Sequence, residues 1–209
     1  MRPVSTELIE IQDQIREAFS WQLADDLASA IGLKNECNNP TTQIQLSGTI
    51  CVVGAAAHAG VISKYPIIAA DGAIGAVSDP SQVVLVVSDA DGDPYLDIAI
   101  DYQIPICLHA HGDNVERWRA AIARWPKNHP LILTHQTPNE IEGMYNPGGF
   151  TDGDRAACIA LALGADNLEL VGFSTDVVGK WSGHTETNHK LNKLQWMRRV
   201  IELLGMEVQ

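Results

Sequence analysis

The sequence predicts an α/β fold: a mostly parallel sheet flanked by helices, preceded by an N-terminal helical extension. Three observations carry this. Short runs rich in Val, Ile, Leu and Ala recur at 49–53, 66–70, 83–88, 105–109, 131–134 and 168–173. They are continuously apolar rather than alternating, as strands buried on both faces are. Helix-like segments lie between most of them, clearest at 115–125 and 152–163, and alternation of this kind indicates parallel strands wrapped by helices.

Taken in order, residues 5–32 read as one long helix. Leu8, Ile11, Ile15, Phe19, Leu23, Leu27 and Ile31 recur every three or four positions and form an apolar stripe, with Ser5 as its N-cap and Gly32 as its stop. Residues 35–45 are polar and contain Asn38-Asn39-Pro40, a linker. The chain thus divides into a helix and linker at 1–46 and an α/β domain at 47–209. The six strand-like runs follow, and a last amphipathic helix covers 188–204. Trp118, Trp125 and Trp196 fall on amphipathic helices and read as core.

The 209 residues suffice for one full hydrophobic core. No apolar run approaches the roughly 20 residues of a membrane span, and no signal-peptide core follows Met1, so no membrane and a cytoplasmic location are expected. Cys37, Cys51, Cys107 and Cys158 form no CxxC pair; Cys51, Cys107 and Cys158 lie in apolar runs and read as buried free thiols. The net charge of −12 argues against a nucleic-acid partner. It would repel a nucleotide too, unless a divalent cation stands between phosphates and carboxylates.

The polar residues are placed regularly. The six runs end in Gly54-Ala55-Ala56-Ala57-His58, Asp71-Gly72, Asp89-Ala90-Asp91-Gly92-Asp93, His109-Ala110-His111-Gly112-Asp113-Asn114, His135-Gln136-Thr137 and Ser174-Thr175-Asp176. Each cluster lies at a strand's C-terminal end, the edge where open α/β sheets bind ligands. Asp89 and Asp91, two apart, point to one face and can share a hard cation such as Mg²⁺, with Asp71 as a third oxygen donor. Asp-Gly is also a common turn pair, which accounts well for Asp93. His109 and His111 fit either a transition metal or hydrogen bonds to substrate and backbone, and no further His or Cys stands at a supporting spacing. Asp113-Asn114 opens the next helix, where it can cap and still meet a ligand.

Gly148-Gly149-Phe150-Thr151-Asp152-Gly153-Asp154-Arg155-Ala156 precedes a strongly helical segment. Thr151 with Asp154 resembles a capping box. Capping leaves the glycines and Arg155 unexplained, and glycine amides at a helix start beside an arginine suit phosphate oxygens. The carboxylates suit a metal or an N–H-rich ring. Lys180, His184, Lys190 and Lys193 lie in or after a polar loop that could close over a ligand, or are simply solvated.

Ala70-Asp71-Gly72, Ser88-Asp89-Ala90-Asp91, His109 to Asn114 and Gly148 to Ala156, followed by a lysine-bearing helix, together resemble the archaeal 6-hydroxymethyl-7,8-dihydropterin diphosphokinase family over roughly residues 48–205. The first two motifs also resemble thiamin pyrophosphokinases, whose fold the family is thought to share. The Gly54–Gly60 loop departs from the family's glycine-rich Pro-Ser pattern. The resemblance implies an enzyme that transfers diphosphate from ATP to a pterin hydroxymethyl group and releases AMP. It implies Mg²⁺ on Asp89 and Asp91 with Asp71 or Asp113. Arg155 and Lys190 or Lys193 would meet the phosphates, with Gly72, Asn114, Gly149 and Thr151 among the ligand contacts. Asp152 or Asp154 would accept N–H groups of the pterin, and His109 or His111 would orient the hydroxyl. ATP and the pterin are the expected partners, and a homodimer is left open. The rival readings are a thiamin pyrophosphokinase-like enzyme, a nucleotide-sugar glycosyltransferase and a non-catalytic nucleotide-binding module.

Overall fold

A computed structural model of the chain describes all residues except Pro40, His184, Thr185 and Gln209. Six strands, β1 (Thr49–Val53), β2 (Ile67–Ala70), β3 (Val83–Ser88), β4 (Ile106–Ala110), β5 (Leu131–His135) and β6 (Asn167–Val171), form one sheet in the order β5-β4-β3-β2-β1-β6. Every pairing is parallel. The helices are α1 (Glu7–Phe19), α2 (Leu23–Glu36), α3 (Leu96–Asp101), α4 (Val115–Arg124), α5 (Asp152–Ala162) and α6 (Thr187–Leu203). A 3-10 turn at Asp71–Ala76 follows β2 directly. No described helix is long and apolar enough to cross a membrane.

The continuous apolar runs are explained by a helical layer on each face. Cys51, Val53, Ile67, Ala69, Ile106 and Leu108 face one layer, where they meet Leu33 of α2 and Trp118 of α4. Their neighbours Ile50, Val52, Ile68, Ala70 and Cys107 face the other, against Ala156, Ile159 and Ala160 of α5. The two-residue side-chain period of a strand sends successive apolar residues to opposite cores. Cys51, Cys107 and Cys158 are buried free thiols, and Cys37 is half-buried.

The expectation of a single helix over 5–32 is corrected: the chain breaks at Ser20, whose φ of 56° is left-handed. Ser20 N–H donates to Glu17 O (3.1 Å) and Trp21 N–H to Arg16 O (2.9 Å), closing α1 as a left-handed C-terminal turn does. The reason lies in packing. Leu8, Ile11 and Ile15 of α1 pack with Cys158 and Val200, whereas Ala30 and Leu33 of α2 pack with Trp118 on the other layer. A straight helix cannot serve both faces of the sheet. Gly32 stops nothing; it lies inside α2, where a Cβ would come within 3.4 Å of the Trp118 ring.

After β1 the chain runs to β2 on one side, and after α5 it returns to β6 on the other. The strand order therefore reverses beside β1, the usual place of a ligand crevice, and the loops after β1 and β6 meet there, Ala56 N–H donating to Gly172 O (2.9 Å).

Candidate functional site

A cleft of about 230 Å³ runs along the C-terminal edge of the sheet. Its contents follow the strand order. At the β4 and β5 end stand His111, Asp113 and Gln136, with Trp21 from the α1–α2 turn. In the middle stand Asp71 from the end of β2 and Asp89 and Asp91 from the end of β3, facing Asp152 and Arg155 of α5. At the β1–β6 end are Gly54 to Ala56, Gly172 to Ser174 and Gly179.

The middle is a carboxylate cluster. Asp71, Asp89 and Asp91 each place one oxygen within 4.8 Å of the others. Asp71 is buried at φ 51°, where the chain turns from β2 into the 3-10 turn, and accepts a 2.5 Å hydrogen bond from Ser88 Oγ. Burial pushes its carboxyl well up, and Asp152, Asp91 and Asp89 push the same way. Burial and the neighbouring Asp89 also raise Asp91, which meets Arg117 at 3.5 Å. A Cβ on Gly92 would collide with the Asp71 carboxylate, and one on Gly183 with that of Asp91. Asp89 Oδ1 is buried with no hydrogen-bond partner among the described residues. An ionised, buried oxygen without a donor is costly, and a hard divalent cation among three carboxylates is the group that satisfies it. These residues therefore fit a metal ion.

The other Asp89 oxygen meets His111 Nε2 at 3.0 Å, and His111 Nδ1 meets Asp113 at 2.5 Å. Burial alone would depress the imidazole; the bonds to Asp113 and Asp89 outweigh it and bring His111 to about 9. Burial opposes ionisation of Asp89 too, but His111 holds it well below the usual carboxylate range. The His111 hydrogen bond brings Asp113 to about 2. The unit is thus an imidazolium clamped between two carboxylates. Asn114 fixes the loop behind it, donating to His109 O (2.7 Å) and Asp89 O (3.0 Å) and accepting from His111 N–H (2.9 Å).

Across the cleft, α5 begins with the expected capping box of Thr151 and Asp154. Asp154 accepts from the backbone N–H groups of Phe150 (2.6 Å) and Thr151 (2.8 Å) and from Thr151 Oγ1. Arg155 donates to Phe150 O (2.7 Å) and Asp152 Oδ1 (3.1 Å), while its buried Nε has no partner among the described residues. Burial and the charge of Asp89 raise Asp152 to about 7, against the pull of Arg155.

Of the residues the sequence singles out, Asp71, Asp89, Asp91, His111, Asp113, Thr151, Asp152, Arg155, Lys190 and Lys193 come together around the cleft. Gly72, His109, Asn114, Gly149 and Asp154 are not among the residues that line the cleft. Asp154 spends its oxygens on the cap. His109 is fully buried, its nitrogens 3.1 Å from Thr134 Oγ1 and 3.4 Å from Gln136 Oε1, which leaves none for a zinc ion. A Cβ on Gly149 would strike Arg155, so this glycine permits close packing. Lys180 points its ammonium over Trp181 at 4.5 Å, and His184 lies outside the described residues. Sequence reasoning missed Trp21, Arg117 and Trp181. None of the three has a local signature in the sequence.

No family model matches the chain. A Pyrococcus furiosus protein named 6-hydroxymethyl-7,8-dihydropterin pyrophosphokinase is 36% identical over 145 residues, which cover 66% of this chain and 61% of that protein. A protein of the same name from Methanocaldococcus jannaschii is 28% identical over 94% of both chains. One from Methanothermobacter thermautotrophicus is 33% identical over 66% of this chain and 62% of its own length. The chain thus spans about three fifths of two of these relatives and nearly all of the third, and what it is similar to throughout is archaeal proteins named 6-hydroxymethyl-7,8-dihydropterin pyrophosphokinase.

Proposed function

We propose that the protein transfers diphosphate from ATP to 6-hydroxymethyl-7,8-dihydropterin, giving the pterin diphosphate and AMP, with Mg²⁺ as the required ion. The carrying observation is the Asp71, Asp89 and Asp91 cluster with its unpartnered buried oxygen, facing Arg155 across one cleft. The names of the relatives support the acceptor.

In this reading the pterin hydroxymethyl oxygen attacks the β-phosphorus of ATP. The bond from that phosphorus to the oxygen bridging to the α-phosphorus breaks, AMP departs and the hydroxyl proton passes to solvent. Such a transfer needs positioning and charge stabilisation more than covalent participation. Mg²⁺ held by Asp71, Asp89 and Asp91 would neutralise phosphate charge and let an acidic protein bind ATP. Arg155, with its free Nε, and Lys190 meet phosphate oxygens from the other wall. The glycine-lined crevice at the β1–β6 switch point receives the nucleotide. Asp152 accepts N–H groups from the edge of the pterin. His111 carries its proton between Asp89 and Asp113, so it holds Asp89 in place rather than serving as a base.

The test is to incubate the protein with ATP, Mg²⁺ and 6-hydroxymethyl-7,8-dihydropterin and follow AMP. AMP that depends on both pterin and Mg²⁺ is expected. ADP instead of AMP, or turnover of thiamin and not of the pterin, would overturn the reading.

A further inference from the structure

The aromatic side chains at one end of the cleft have no part in the mechanism above. Trp21, carried by the turn between α1 and α2, is partly buried and lines the cleft with Phe150. Phe19 stacks on the indole, with ring centroids 4.8 Å apart and planes within 20°. Phe150 leans against it at 5.9 Å and 47°. The ammonium of Lys193 lies 5.1 Å from the Trp21 centroid and 5.8 Å from that of Phe150. Among the described residues no carboxylate comes within ion-pair distance of that ammonium. Burial depresses its pKa, while the nearby charge of Asp113 opposes the shift. A cation covers a ring face that a flat ligand would cover better.

We propose that Trp21 is the stacking face for the planar ring of the acceptor, with Phe150 along its side, and that Lys193 covers this face until the ring arrives. The inference rests on the reading of the acceptor as a pterin. An electron-poor bicyclic ring stacks on an indole as nucleobases do on aromatic side chains. Two observations favour the acceptor over the adenine of the nucleotide. Phe150 lies two residues before Asp152, so the platform and the carboxylate that would meet the N–H edge of the ring share one helix start. The turn that carries Trp21 also lies between Arg16, which donates to Gln136 O after β5 (2.8 Å), and Asp26, which accepts from Gly112 N–H after β4 (2.8 Å), so it sits on the β4–β5 side of the carboxylate cluster, away from the glycine-lined crevice beside β1 and β6. Phosphates held in the middle then lie between acceptor and nucleoside, the order an in-line transfer requires. Lys193, displaced from the rings, stays in the field of Asp113, Asp89 and Asp152 beside which those phosphates would lie. The N-terminal helices thereby supply a substrate contact to the cleft.

The test uses two probes, oxidised 6-hydroxymethylpterin and Mg·ADP, each titrated calorimetrically into the wild-type protein and into Trp21→Ala and Trp21→Phe. Trp21→Ala is expected to weaken the pterin roughly 5- to 150-fold, the range measured for loss of one stacking partner. It should leave Mg·ADP unchanged, and Trp21→Phe should retain most of the pterin affinity. Pterin quenching of tryptophan emission should also shrink in Trp21→Phe. Loss of Mg·ADP alone would make this an adenine platform. Equal loss of both would make Trp21 merely structural, and no loss would leave the ring without a role; each overturns the proposal. A wild-type protein that binds no pterin would overturn the acceptor reading itself, an outcome distinct from the other three.

Discussion

Two aspartates on opposite sides of one cleft, each with a buried carboxylate oxygen, have opposite fates. Asp154 lies in the first turn of α5 and Asp89 directly after β3, and both would look like turn or cap residues in isolation. Asp154 is surrounded by donors from its own loop: two backbone N–H groups and the Thr151 hydroxyl. Asp89 has His111 on one oxygen and nothing among the described residues on the other. A buried carboxylate whose donors are all local belongs to the fold, whereas one left short of donors among other carboxylates marks a place for a ligand.

The comparison predicts separable defects. Asp89→Ala should lower AMP formation roughly 10²- to 10³-fold, the usual cost of losing one pre-organised charge-stabilising group at a transition state, measured as kcat. Saturating Mg²⁺ should raise the stability of the wild-type protein by about 2.7 kcal/mol at a hundred times its Kd, read from urea unfolding, and should do little for Asp89→Ala. Asp154→Ala should lower stability by roughly 1–3 kcal/mol through loss of the cap, also in urea, and keep its response to Mg²⁺. If Asp154→Ala lost the Mg²⁺ response while folded, the two walls would not be distinct.

The smallest effect concerns pH. His111 titrates at about 9 in the folded protein against an ordinary value of 6.5. A raised value means that its contribution is complete below pH 6.5 and is lost as the pH climbs through 9. In metal-free protein the gap in urea midpoint between wild type and His111→Gln should be widest below pH 6.5 and close towards pH 9. A gap that widened with pH would contradict an imidazolium between Asp89 and Asp113.

Much of this was legible in the chain. The spacing of Asp89 and Asp91 at a strand end, the capping pair Thr151 and Asp154, and the buried strands are written locally, in periods of two and three residues. Trp21 was not, because the apolar stripe of α1 continues in phase through Ser20 into α2, and only the two-sided packing of the sheet shows that the helix must break. Gly32 misled for a related reason: its lack of a side chain answers to Trp118, 86 positions further along the chain. Gly54, Gly172 and Gly179 belong here too, since a Cβ on any of them would strike the backbone of a neighbouring loop at the switch point. Contacts between segments remote in sequence leave no periodic trace.

The claim that the short-handed carboxylates are a cation site is tested most directly by Mn²⁺ binding, followed by loss of its free electron paramagnetic resonance signal. Wild-type protein and Asp154→Asn should bind Mn²⁺ alike, and Asp89→Asn should bind it far more weakly. Equal binding by wild type and Asp89→Asn would contradict the account.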